Sequence, residues 1–154
     1  TFTRTFTVTI SDDPTIDLIA DPDAIDEDSG SQTVNFTGVS AGGDGPQTLE
    51  VTATSDTPSL VPHPVVSYTS DDATGSLSYT PTGDLSGSAV VTVTVTDGGD
   101  DDSLATTGDN RTTTTGFTVT IDPVNDAPAV TIGQEKNIIE NSSVGTAVGT
   151  VGTI

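Results

Sequence analysis

The sequence predicts an all-β sandwich, on three observations. Apolar residues alternate with Thr or Ser through most of the chain, as in Val91-Thr92-Val93-Thr94-Val95-Thr96, the period-two pattern of a half-buried strand. Gly, Pro, Asp and Asn interrupt these runs at short intervals, and no stretch carries a helical period. Phe117-Thr118-Val119-Thr120-Ile121 repeats Phe6-Thr7-Val8-Thr9-Ile10 at a spacing of 111 residues, so the chain contains an internal repeat. Seven or eight short strands between turns fit two packed antiparallel sheets.

The repeat sets the expected organisation. Residues 1–13 read as the last strand and hinge of a preceding repeat, 14–127 as one complete sandwich, and 128–154 as the first strands of a following repeat. A unit of that size can bury its own core. The chain lacks Met altogether, and its ends read as cuts through a longer polypeptide.

Taken in order, residues 1–10 read as a strand with Phe2, Phe6, Val8 and Ile10 inward. Pro14 closes the first hinge, and residues 15–20 read as a short strand using Ile16 and Leu18. Ile25 then leads the acids Asp26, Glu27 and Asp28. Residues 32–39 place Val34 and Phe36 inward, and 47–55 place Leu49, Val51 and Ala53 on one face. Pro62 and Pro64 interrupt residues 60–69 and mark them as an edge, because proline cannot donate to a ladder. Residues 76–80 turn Leu77 and Tyr79 inward. After a tight turn at Asp84-Leu85-Ser86-Gly87 comes the strongest strand, 88–96. An acidic loop over 97–110 precedes the closing strand, 111–121. The hinge Asp122-Pro123-Val124-Asn125-Asp126-Ala127-Pro128 stops that strand with two prolines.

Composition excludes several function classes. Three Lys plus Arg against 23 Asp plus Glu give a net charge of −20, which repels nucleic acid and anionic membrane surfaces. Such a charge calls for neutralisation by divalent cations or salt. The absence of Cys removes disulfides, thiolate catalysis and Cys-based zinc sites. No apolar run approaches the length of a membrane-spanning helix. His63 is the only histidine, it stands between two prolines, and no Ser or Asp is tied to it in a catalytic spacing. Acids are abundant, but no pair is marked out for glycoside hydrolysis. An enzyme is therefore not expected.

Val124-Asn125-Asp126-Ala127-Pro128 at the unit boundary, followed by Ile139-Glu140-Asn141-Ser142-Ser143-Val144-Gly145-Thr146, resembles bacterial cadherin-like and immunoglobulin-like tandem repeats of large secreted or surface proteins. The resemblance implies a Greek-key sandwich of that type. It also implies Ca2+ at the junction between repeats, with ligands carried over as Glu27, Asp28, Asp97, Asp122, Asn125, Asp126, Glu140 and Asn141. This hinge departs from the full cadherin pattern. Pro123 stands where the first Asp would, Ala127 replaces the second Asn, and residues 40–46 offer only Asp44 in place of an Asp-x-Asp loop. The departures point to at most one ion per junction, against three in animal cadherins. Calcium takes six to eight oxygens, which the hinge and the 97–102 loop could supply. Asp and Asn also form turns by bonding their own backbone, and for any single Asp that reading is the better one.

The functional expectation is a non-enzymatic extracellular repeat: a spacer, surface stalk, adhesin or matrix-fibre unit of a bacterial protein, secreted or displayed at the cell surface. Its partners would be neighbouring repeats. Two alternatives stand beside it. One is a polysaccharide-binding module, through Tyr68 or Tyr79 or the Thr ladders at 3–9 and 92–96. The other is a filament in which residues 1–10 or 131–154 complete a neighbouring chain's sheet. Threonine is also simply a good strand residue with a polar outer face.

Overall fold

The computed structural model describes residues 2–4, 12–43 and 45–126. The expected strand over 5–10, the start of a following repeat over 128–154, and Ala127, Glu140 and Asn141 lie outside these residues. Phe2–Arg4 belong to no strand, and Phe2, expected on a buried face, is 96% exposed, with no strand beside it to pack against among the described residues.

Among the described residues there are seven strands: β1 (Ile25–Asp26), β2 (Gln32–Thr37), β3 (Leu49–Ser55), β4 (Val65–Ser67), β5 (Thr74–Tyr79), β6 (Gly87–Asp97) and β7 (Thr112–Asp122). One sheet has the order β1-β7-β6-β3 and the other β2-β5-β4. All pairs are antiparallel except β1 with β7, where Ile25 faces Ile121 and Asp26 faces Asp122 in a parallel register. This is an immunoglobulin-like β-sandwich.

The alternation read from the sequence sets the sheet faces. Val91, Val93 and Val95 of β6 and Phe117, Val119 and Ile121 of β7 are buried, and they meet Phe36, Leu77 and Tyr79 from the opposite sheet. The intervening threonines turn outward. Registers Thr52–Thr94–Thr114 and Glu50–Thr96–Thr112 cross three strands, so the outer face of the larger sheet carries a threonine array. β4 is the edge strand that Pro62 and Pro64 predict. His63 is exposed, as expected, but its Nδ1 accepts a hydrogen bond from the Ser55 amide at 3.0 Å. That bond ties the end of β3 to the segment entering β4.

The segment before β1 corrects the sequence reading. Residues 15–20 do not form a regular strand. Thr15 bridges to Ser40, and the Asp17 amide donates to the Thr37 carbonyl, so this part lies along β2. By Ile25 the chain pairs with β7 in the other sheet. Crossing between sheets breaks the alternation: Ile16 and Ile19 face the core, whereas Leu18 is 92% exposed. Gly38 fits the contact at the β2 edge. Its φ is 74°, and a Cβ there would overlap the Asp17 carboxylate, which accepts the Thr37 hydroxyl at 2.7 Å.

Candidate functional site

The residues of interest gather at the two ends of the sandwich. β6 runs 11 residues from Gly87, opposite Ile121, to Asp97. At the rise of a strand this separates the poles by roughly 33 Å.

The outgoing pole is organised by Glu27. Parallel pairing of β1 with β7 delivers this residue to the point where β7 becomes the hinge. Its amide donates to the Asp122 carbonyl at 3.0 Å, and its Oε1 accepts the Val124 amide at 2.8 Å. Glu27 is only 5% exposed, so its carboxylate is spent on fixing the hinge backbone. Pro123, between the two anchored residues, has no amide to satisfy. Asp28 lies against Gly83, in the turn that carries Asp84. Asp126 is exposed but reaches the same place: partial desolvation by its neighbours raises its proton affinity above the ordinary carboxylate value, with further contributions from the charges of Asp28, Asp84 and Glu27 and a hydrogen bond with Asp84. Glu27, Asp28 and Asp126 thus lie at one pole, and Asp84, read from the sequence only as a turn, lies there with them. The side chains of Asp122 and Asn125 are exposed on the hinge.

The incoming pole holds Asp97, which the structure separates from the hinge set. Asp97 is fully buried at the end of β6. Its Oδ1 accepts the Gly99 amide at 3.1 Å and the Arg111 amide at 2.7 Å, closing the loop between β6 and β7. A 3-10 turn, Gly99–Asp101, follows. Asp102, in the left-handed conformation, bonds the Thr48 amide. That bond, with one from the Thr48 side chain, holds its carboxyl below the ordinary range. Asp12 and Asp13 dock here: Arg111 pairs with Asp13 at 3.3 Å, and Gly42 and Gly43 lie against Asp12 and Asp13. Sequence spacing could not separate Asp97 from the hinge residues, because the pole it occupies depends on strand direction.

The donors at the outgoing pole suit a hard cation in type and in field: carboxylate oxygens, one with raised proton affinity. Among the described residues, however, no three His, Cys, Asp or Glu side chains converge closely enough to hold a metal ion by themselves. Glu140 and Asn141 lie outside the described residues. The two tyrosines are occupied by packing. Tyr79 is buried, and Tyr68 sits 6.2 Å from the Phe36 ring. Burial raises both phenols above their ordinary value. Among the described residues, no helix is long and apolar enough to cross a membrane.

The strand order and burial define the class of protein, an immunoglobulin-like β-sandwich. No protein-family model matches the chain, and no curated protein does. Among solved structures, domains 4 and 5 of the S-layer protein SbsC are similar at 18% identity and a TM-score of 0.43, over 77% of this chain and 51% of that one. The chain therefore spans about half the length of that structure. The ASH/PapD-like domain 7 of human CEP192 is similar at 11% identity and a TM-score of 0.41, over 81% of this chain and 96% of that one.

Proposed function

We propose that this chain is a non-enzymatic, tension-bearing spacer repeat of a bacterial extracellular protein, of the cadherin-like or immunoglobulin-like tandem kind, in a surface stalk, adhesin or matrix fibre. The observation that carries the reading is the clamp between the first and last segments of the unit. The incoming chain docks at one pole and the hinge leaves from the other. The segment over 21–27 runs parallel to the end of β7 and is tied to it repeatedly. Asp21 Oδ1 accepts the Thr118 amide at 2.6 Å, β1 pairs with β7, the Glu27 amide bonds Asp122, and Glu27 Oε1 takes the Val124 amide. Pulling the poles apart loads these parallel bonds together, in shear, rather than one after another. A unit built in this way transmits force along a chain of repeats. It needs no cleft and no nucleophile to do so.

Calcium at the hinge belongs to this proposal. Asp126, Asp28 and Asp84 repel one another where the next repeat begins. A cation bound among them, completed by oxygens such as those of Glu140 and Asn141, would neutralise that field and limit bending. A three-unit concatemer measured by small-angle X-ray scattering tests the spacer role. The expected maximum dimension grows linearly by about 40 Å per unit, one sandwich length plus a hinge. Growth as the square root of unit number, the signature of flexible joints, would reject it.

One observation favours polysaccharide binding as a second reading. In a protein of net charge −20, the outer face of the larger sheet presents Thr52, Thr54, Thr92, Thr94 and Thr114 as an almost uncharged hydroxyl array interrupted by Glu50. Retention on a glycan array that is lost in Thr94→Glu would support it. Equal behaviour of the two proteins would leave threonine as a strand former only.

A further inference from the structure

We propose that the loop between β6 and β7 holds a calcium ion, liganded by Asp97 and Asp109 with an oxygen from Asn110. The site lies at the incoming pole and uses neither Glu27 nor any hinge residue, so it stands apart from calcium at the hinge.

The Asp97 carboxylate lies inside the loop, because its Oδ1 takes one amide from each arm, Gly99 and Arg111. Its residue is 0% exposed, and its Oδ2 is buried with no hydrogen-bond partner. A buried carboxylate oxygen facing nothing is costly, and native structures rarely tolerate one. A second oxygen shares the condition: Oδ1 of half-buried Asn110, the residue before Arg111, is also buried and unpartnered. Asp109 joins them from the far arm. Its Oδ2 accepts the Asp100 amide at 2.9 Å, so the carboxylates of Asp97 and Asp109 rest on successive amides of one turn. Gly99 permits that approach. Its φ is 62°, and a Cβ there would stand 2.7 Å from the Asp109 carboxyl carbon.

Two carboxylates thus share one loop without a guanidinium between them, since Arg111 directs its side chain outward to Asp13. A cation resolves both the repulsion and the orphaned oxygens. The donors are all hard oxygens, a set that favours calcium or magnesium over zinc, whose sites are built mainly on His and Cys. The irregular loop suits calcium, which accepts six to eight oxygens in flexible geometry, better than magnesium, which demands a near-ideal octahedron. Loop carbonyls and water would complete the shell. Bound there, the ion would pin both arms of the loop beside the docking point of the incoming linker.

The test is an amide-resolved NMR titration of the full 154-residue chain, stripped with EDTA and then titrated with CaCl2 into the millimolar range, where extracellular calcium modules bind (Kd ~10⁻⁴–10⁻³ M). The amides of Gly99, Asp100 and Arg111 should shift together and saturate. Asp109→Asn should weaken that response at least about tenfold, since even outer-shell partners of a metal count on this scale. Asp126→Asn should leave it unchanged. Asp97→Asn should abolish it, but its burial makes folding uncertain, so the wild-type titration and Asp109→Asn decide. Loop amides that stay fixed in the wild type would overturn the site, as would an Asp109→Asn protein that responds like wild type. Equal response to MgCl2 would overturn the calcium assignment. If only the Val124 and Asp126 amides move, the loop site fails while calcium at the hinge survives.

Discussion

Single side chains in this protein are sorted by a simple code, valine inward and threonine outward, and a few residues break it. Val91 is completely buried opposite Phe117, so Val91→Thr puts a hydroxyl where no partner waits. It should cost about 1–3 kcal/mol in urea denaturation. Thr115 is the natural counterexample, with a buried Oγ1 that has no partner. Thr115→Val should be neutral or raise stability by about 1 kcal/mol, because it removes an unsatisfied group rather than a bond. Asp126 breaks the usual rule for acids. Its folded-state proton affinity is raised, so its favourable contribution is full below the unfolded carboxylate value, about pH 3.9, and is lost as pH rises through the folded one. In EDTA, the docked hinge should therefore loosen as pH rises through that window. Asp126→Asn should flatten the dependence, read from the Val124 amide shift.

At the scale of elements, periodicity made most strands legible in the sequence. β2, β3, β5, β6 and β7 fall within a few residues of their expected bounds, because alternating Val and Thr leave one choice of face. Pro62 and Pro64 marked β4 as an edge for an equally local reason. The crossing between sheets before β1 was not legible. Leu18 has the spacing of a core residue, but the chain turns there to reach β7. The site was half legible for the same reason. Glu27, Asp28 and Asp126 share one pole because parallel pairing of β1 with β7 places them there, whereas Asp84 and Asp109 arrive through turns whose partners no local pattern encodes. Glu27 is the element-level hinge pin. Glu27→Ala should free the Val124 amide, destabilise the unit by about 1–3 kcal/mol, and speed hydrogen exchange at Val124 more than at Val93. Uniform exchange rates across both would mean the hinge is not held by Glu27.

For the whole molecule, the proposed spacer role rests on what is fixed at the two poles. The incoming linker is paired to Arg111 at one pole, and the outgoing hinge is clamped by Glu27 at the other. In the proposed spacer role, the parallel contact of residues 21–27 with the end of β7 would be the line along which tension passes. Single-molecule force spectroscopy on a concatemer tests this most directly. The clamp predicts one unfolding event per unit, each releasing roughly 350 Å of chain. It further predicts that Asp21→Ala combined with Glu27→Ala lowers the unfolding force clearly, while Thr94→Ala on the outer face does not. An unfolding force unchanged by loss of Asp21 and Glu27 would contradict the clamp, and with it the tension-bearing role.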